Sequence, residues 1–199
     1  MQSIAIDREY GSGGREVARI LSEKLGIDYY DGNLLAIAGR ERGINLGTMQ
    51  LYDEKGVGSI LHDFALLGSA AYGGTINEAP FLAYTAMAQL IRELASRGPC
   101  VFLGRCAGHI LREEAHLPVL SVFIYASSMA ERIDRVRRVD NVEAGHIEAY
   151  IRKKDNQRRN YNKFFTQETW GAREYYDLML NTSSLGYEGA AKLILEALT

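Results

Sequence analysis

The feature that most constrains the fold is a glycine-rich turn between a short apolar run and an amphipathic segment. In SIAIDREYGSGGREVARILSEKLG, residues 3–26, the apolar run at 4–6 predicts a short buried strand. The apolar spacing after Gly14 predicts a helix that stops at Gly26. A strand, a glycine loop and a helix N-terminus aim several backbone N–H groups at one point, which is the physical basis of phosphate binding.

This loop departs from the strict phosphate-loop pattern, G-x-x-x-x-G-K-[ST]. With Gly14 as the second glycine, Glu9 stands at the first, Arg15 replaces the lysine, and Glu16 replaces the hydroxyl residue that binds Mg²⁺. The magnesium ligands stay open, with Glu16 or Asp7 as candidates, and a tight turn without a ligand is the alternative. The residues expected to hold nucleotide phosphates are Gly11, Ser12, Gly13, Gly14, Arg15 and Glu16.

The rest of the chain alternates between strand-like and helix-like segments. Short extended pieces are predicted at 27–31 and 176–182, and continuous apolar runs at 100–104 and 118–126 predict parallel strands covered on both faces. Helices are predicted at 33–43, 80–95, 129–138, 143–159 and 188–199. This order predicts one domain, 1–199, with a doubly wound, parallel, five-stranded α/β sheet and helices on both faces. Residues 44–77, with a helix at 60–67, are expected to form a small mobile inserted lobe on the acceptor side.

A basic segment stands out against the slightly negative chain. Residues 152–163 carry six Lys or Arg and one acid, Asp155, whereas the whole chain has a net charge of −2. Lys154 and Arg158 share a helix face, as do Asp155 and Arg159. A solvated helix face is one interpretation; the other is a helical lid, about 143–171, that closes over polyphosphate and neutralises its charge.

A second phosphate-suited arginine follows a predicted strand. The run FLGRCAGHIL, residues 102–111, ends a buried strand at Gly104 and Arg105. Ligands of open α/β sheets lie beyond the carboxyl ends of the strands, so Arg105 is placed to grip a second phosphate bidentately. A surface arginine in a salt bridge is the alternative. Two phosphate sites that face one another are what a phosphoryl transferase needs.

The bulk composition excludes several other classes. At 47% hydrophobic and 24% charged residues, the chain is an ordinary globular sequence without a signal for nucleic-acid or membrane partners. Its two cysteines, Cys100 and Cys106, fit neither a disulfide framework nor a zinc site and are expected to be reduced thiols. Without a signal-peptide pattern or a long apolar run, the protein is expected to be cytoplasmic.

The order of these motifs resembles the bacterial cytidylate kinase-like family of P-loop proteins. The resemblance rests on SIAIDREYGSGGREVARILSEKLGIDYYD, FLGRCAG, VFIYASSMAERIDRV, KKDNQRRNYNKFFTQETWG and YDLMLNTSSLG, which together span nearly the whole chain. Authentic cytidylate kinases carry Gly-Lys-Gly-Thr in the loop and Gly-Arg-Asp at the later strand end. Here Gly14 and Arg15 stand in the first, and Cys106 replaces the aspartate of the second.

The resemblance implies a P-loop NTPase-type fold and transfer of the γ-phosphate of Mg²⁺-bound ATP to a nucleoside monophosphate such as CMP or dCMP. The catalytic group is expected to be Arg15, Lys154, Arg158 and Arg159, and the acceptor-binding group Asp31, Arg105 and Asp155. Two alternatives stay open. One is a regulatory protein that binds a nucleotide or other anion without transfer, and the other is a kinase of another phosphorylated small molecule.

Overall fold

The structure is a computed structural model that describes residues 1–32, 79–140 and 146–198, together with Leu34 and Ile37. The elements in these ranges follow the alternation that the sequence predicts. In chain order they are β1 (Ser3–Arg8), α1 (Gly14–Leu25), β2 (Tyr29–Tyr30), α2 (Ala79–Arg97), β3 (Val101–Leu103), α3 (Ala107–Arg112), β4 (Val119–Tyr125), α4 (Met129–Asp140), α5 (Ile147–Thr166), a 3₁₀ turn (Arg173–Tyr175), β5 (Leu178–Asn181) and α6 (Thr182–Ala197).

All five strands are parallel and form one sheet in the order β2-β3-β1-β4-β5. The central strand is β1, where Ile4 lies opposite Val101 on one side and Leu120 on the other. The loop that follows β1 therefore leaves the middle of the carboxyl edge, where ligands of such sheets bind.

Helices cover both faces of this sheet, because alternate strand residues point to opposite sides. Ile4 and Ile6 are buried in a cluster with α1 and α6, whereas Ala5 is buried in a second cluster with α2, α3 and Tyr161 of α5. The prediction of a five-stranded, doubly wound α/β sheet is confirmed.

Two of the predicted helices differ from their expected bounds by more than two residues. The helix predicted at 143–159 begins at Ile147 and continues to Thr166, where Gln167 ends it in a left-handed conformation. The helix predicted at 188–199 begins at Thr182, and Gly186 (φ 66°, ψ 176°) interrupts it. The predicted helix at 33–43 lies almost entirely outside the described residues, and the predicted lobe at 44–77 lies wholly outside them.

Within the described part of the chain, no helix combines the length and apolar character that a membrane span requires.

Candidate functional site: two adjoining anion cavities

The glycine loop is held in a shape that leaves the first turn of α1 open to a ligand. Gly11 and Gly13 have φ values of +79° and +84°, a region that glycine enters at little cost. Gly13 is the N-cap of α1, and its carbonyl accepts the first intrahelical bond from Val17 N–H at 3.1 Å. The N–H groups of the residues between them therefore have no intrahelical acceptor and mark the anion-binding end of the helix.

Ser12 shapes this loop from the inside. Its residue is 2% exposed, and its hydroxyl donates to the carbonyl of Glu9 at 2.8 Å. The Ser12 carbonyl in turn accepts a 2.7 Å bond from Thr182 Oγ1 at the start of α6. The side chain of Ser12 thus stabilises the loop, and its contribution to a phosphate site is structural.

Two cavities adjoin at the carboxyl edge of the sheet. The first lies over the glycine loop and is lined by Arg8, Glu9, Tyr10, Gly11, Gly13, Gly14, Arg15, Leu103, Arg135, Asp140 and Arg158. The second is a cleft of about 280 Å³ lined by Arg8, Tyr10, Arg15, Gly32, Leu103, Arg105, Tyr150, Lys154, Gln157 and Arg158.

The cleft is strongly cationic. Of the described residues that line it, five are Arg or Lys and none is Asp or Glu. Such a concentration of guanidinium and ammonium groups attracts phosphate-bearing ligands and holds them with charge-assisted hydrogen bonds. The three residues Arg8, Arg15 and Arg158 line both cavities and so form a shared cationic wall between them.

Four of the basic residues predicted from the sequence come together here: Arg15, Arg105, Lys154 and Arg158. Arg105 is 4% exposed and follows β3 in a left-handed turn with φ 61°. Arg158 donates from Nη1 to the carbonyl of Arg8 at 2.9 Å and lies 5.2 Å from the centre of the Tyr10 ring. The topology rule that placed ligands beyond the strand ends accounts for this convergence.

Asp31 reaches the rim of the cleft through Arg15. The Arg15 Nε lies 3.6 Å from Asp31 Oδ2, and the Tyr29 hydroxyl donates to the same oxygen at 3.2 Å. Burial and then the charge of Asp31 raise the pKa of Tyr29 to about 12. The ion pair links Arg15, which lines both cavities, to the segment directly after β2.

Two residues that the sequence predicts for the site, Asp155 and Arg159, line neither cavity and have other protein partners. Asp155 is 8% exposed; its Oδ1 accepts the backbone N–H of Tyr10 at 2.7 Å, and its Oδ2 pairs with Arg132. Arg159 bonds to Asn156 and lies 5.6 Å from the centre of the Trp170 ring, and it does not line either cavity. Both oxygens of Asp155 thus have protein partners, and this residue fastens α5 to the loop.

Glu16 also has a structural partner. Its Oε1 pairs with Arg135 Nη2 at 2.5 Å, and its Oε2 is a buried oxygen without a hydrogen bond. Asp7, the other candidate for a metal, accepts the hydroxyl of Tyr176 at 2.9 Å. The described residues contain no group of three or more His, Cys, Asp or Glu arranged to hold a metal ion.

Sequence reasoning missed Arg8, Arg135 and the two tyrosines of the site, Tyr10 and Tyr150. Arg8 had a usable signal, because it comes shortly after the apolar run of the first predicted strand just as Arg105 follows a later one. Arg135 had none, since it enters the loop cavity from α4, far along the chain.

The fold and the two cavities define a P-loop-type α/β protein with a cationic cleft at the carboxyl edge of its sheet. Residues 3–184 match the model of the cytidylate kinase-like family, and the chain belongs to that family.

A curated relative agrees with this assignment, and solved structures share the fold. A cytidylate kinase of Methanothrix thermoacetophila is 27% identical over 198 residues, covering 98% of this chain and 96% of that protein. An uncharacterized protein from Eubacterium ventriosum superposes with a TM-score of 0.73 at 22% identity, over 100% of this chain and 98% of the other. Shikimate kinase from Acinetobacter baumannii, solved with shikimate, gives 0.53 at 17% identity, over 100% and 93%. The fold is that of the P-loop kinases.

Proposed function

We propose that this protein is an ATP-dependent phosphotransferase that passes the γ-phosphate of ATP to a nucleoside monophosphate. The observation that carries the proposal is the shared wall: Arg8, Arg15 and Arg158 line both the loop cavity and the cleft. A donor phosphate on the loop and an acceptor phosphate in the cleft would meet at that wall. Phosphoryl transfer depends mainly on such positioning and on neutralising the charge of the transferring group.

Each part of the site has a role in this scheme. The loop amides at the start of α1 bind the donor phosphates, and Arg105 with Lys154 binds the acceptor phosphate in the cleft. Arg158 lies between the two and stabilises the equatorial oxygens of the transferring group. Its bond to the Arg8 carbonyl holds the guanidinium at the loop. A protein nucleophile is not needed for this direct transfer.

Magnesium would enter this site bound to the phosphates of the nucleotide. Mg²⁺ in kinase sites is held largely by substrate phosphates and water, with one or two protein carboxylates. Glu16 remains a candidate for such a carboxylate, because its buried Oε2 lacks a hydrogen bond. When bound, the metal neutralises phosphate charge.

The acceptor we propose is CMP or dCMP. The support is the family and the curated relative from Methanothrix that is named a cytidylate kinase.

A second candidate is a protein that binds nucleotides without transferring phosphate. It is favoured by the loop itself, which has neither the lysine nor the metal-binding hydroxyl of the strict pattern. The third candidate function is a kinase that acts on another phosphorylated small molecule.

Release of ADP from Mg-ATP, with CMP, dCMP, UMP, AMP and GMP offered in turn, separates these functions. We expect turnover with CMP or dCMP, and the variant Arg105→Lys should raise the KM for the acceptor. Arg19→Ala is the matched control, because Arg19 is exposed and pairs with Glu23 on the outer side of α1. ATP binding without turnover on the whole panel would contradict the proposed acceptor class.

A further inference from the structure

The structure supports a second alignment of the phosphate-loop pattern with this chain. α1 begins at Gly14 with Gly13 as its left-handed N-cap, so Gly13 also fits the second glycine of G-x-x-x-x-G-K-[ST]. In that register Arg8 takes the first glycine position, and Gly14 takes the position of the lysine. Relative to the pattern, the chain has then gained a side chain at position 8 and lost one at position 14, so the two differences compensate for each other.

The geometry of Arg8 and Gly14 explains why the two changes occur together. A Cβ added at Gly14 would lie 2.6 Å from Arg8 Cβ and 2.8 Å from Arg8 Cγ. Real Cβ atoms do not approach other carbons this closely, so only one of the two positions can carry a side chain. The stem of Arg8 occupies the space into which a lysine at 14 would start.

We propose that Arg8 replaces the phosphate-loop lysine, delivering its cation to the donor phosphates from the strand instead of from the helix. This inference rests on the proposed donor site and assigns its main cation. Arg8 ends the central strand in register with Ile124, so its backbone is fixed by the sheet. Its side chain lines the loop cavity, and guanidinium binds phosphate oxygens bidentately.

The same register moves Arg15 away from the lysine role. Arg15 falls at the hydroxyl position of the pattern, and its Nε lies 3.6 Å from Asp31 on the cleft side. Its side chain is 59% exposed, whereas Arg8 is half-buried against the loop. Arg8 is therefore the donor-side cation, and Arg15 belongs to the wall that faces the acceptor.

The test is a double-mutant cycle with four proteins: wild type, Arg8→Gly, Gly14→Lys, and the combination. Affinities for a non-hydrolysable ATP analogue and for inorganic tripolyphosphate are measured by calorimetry, with melting temperatures alongside. Arg8→Gly should weaken both ligands by about 10- to 100-fold, since charge-assisted bonds to phosphate are lost. Gly14→Lys alone should melt lower because of the clash with Arg8. The combination should recover both affinity and melting temperature, a non-additive outcome.

A pair of conservative variants covers the case in which Arg8→Gly does not fold. Arg8→Gln keeps most of the length of the side chain without its charge, and Arg8→Lys keeps the charge. Arg8→Lys should bind tripolyphosphate more tightly than Arg8→Gln, whereas a purely structural Arg8 would give equal affinities. Arg19→Ala is again the control, because it removes a positive charge from the exposed face of α1.

The outcomes separate this inference from the proposed function. If the wild type turns over a monophosphate and Arg8→Gly or Arg8→Gln binds the ATP analogue equally well, only the role of Arg8 is wrong. If tripolyphosphate binding depends on Arg8 but no acceptor is phosphorylated, the role of Arg8 stands and the proposed transfer fails. If the wild type binds neither the ATP analogue nor tripolyphosphate, the role of Arg8 and the proposed phosphoryl transfer are both wrong.

Discussion

The backbone N–H of Tyr10 donates a 2.7 Å hydrogen bond to Asp155 Oδ1, joining the glycine loop to the middle of α5 across 145 residues of sequence. Arg132 completes the junction by donating from Nε to the Tyr10 carbonyl at 2.8 Å and pairing with Asp155. The loop backbone at Tyr10 thus has partners from two helices. α5, which lies in the segment predicted to be a lid, is therefore fastened to the loop at Asp155.

Replacing Asp155 with alanine should destabilise the protein by about 3 kcal/mol, because it leaves the buried Arg132 without its main counter-charge. In that variant Arg132, which is 5% exposed, keeps only Glu9, at 3.3 Å, as an acidic partner among the described residues. Urea unfolding at pH 7 measures the change. Asp134→Ala is the control, since its exposed pair with Arg137 is worth at most about 0.5 kcal/mol. Equal losses in the two variants would show that the junction is not a stabilising one.

Gly13→Ala should cost more stability than Gly26→Ala, although both glycines have positive φ, +84° and +64°. An alanine in the left-handed region costs about 1 kcal/mol wherever it is placed. At Gly26 an added Cβ meets nothing within 4 Å, whereas at Gly13 it would lie 2.1 Å from the Tyr187 ring. Comparing the free energies of unfolding isolates this contact; a difference near zero would mean that Tyr187 moves aside without cost.

Arg158→Ala should lower kcat by about 10²- to 10³-fold, with a smaller effect on affinity for an ATP analogue. The reason is that charge spreads over the transferring group only in the transition state, which is where Arg158 acts. Steady-state rates with the accepted monophosphate, paired with calorimetric binding, separate the two quantities. Arg152→Ala, an exposed residue of the same helix paired with Glu148, is the control. Weakened binding with an unchanged kcat would place Arg158 in ground-state binding alone.

Tyr29 should contribute to a loss of stability at alkaline pH. Burial raises its pKa from 10.0 to about 12, so between these values the unfolded chain loses the proton while the folded protein keeps it. The unfolded state then binds fewer protons, and stability falls as pH rises across this window. Free energies of unfolding from pH 8 to 11.5 should therefore fall less steeply in Tyr29→Phe than in the wild type. Parallel pH profiles would show that Tyr29 ionises alike in both states.

Strands β3 and β4 were predictable because they are buried on both faces and read as mostly apolar runs. Helix ends were harder to predict. His146 caps α5 without a side-chain hydrogen bond, so the sequence carries no signal for that start. α6 has an N-cap, in which the Asn181 side chain accepts a hydrogen bond from Ser183 N–H at 3.1 Å. The start of α6 was nevertheless missed, because Gly186 interrupts the helix after one turn and breaks the helical sequence pattern.

Within the candidate site, the residues that follow strands were predictable and those fixed by long-range contacts were not. Arg105 follows from the rule that ligands gather beyond strand ends. The partnership of Asp155 with Tyr10 depends on how α5 packs against the loop, which no local pattern encodes. The basic run at 152–163 therefore pointed to Lys154 and Arg158, which line the cleft, but it could not separate them from Arg159, and their catalytic role stays a prediction.

The bond from Thr182 Oγ1 to the Ser12 carbonyl has a consequence for synthesis of the chain, because its two ends are 170 residues apart. At about 5–20 residues per second, a ribosome needs roughly 10–35 s to travel that distance. The neighbours of β1 in the sheet also emerge late, at residues 101–103 and 119–125. The glycine loop is thus synthesised long before the residue that braces it, and it lacks this hydrogen bond until the chain has been extended to Thr182.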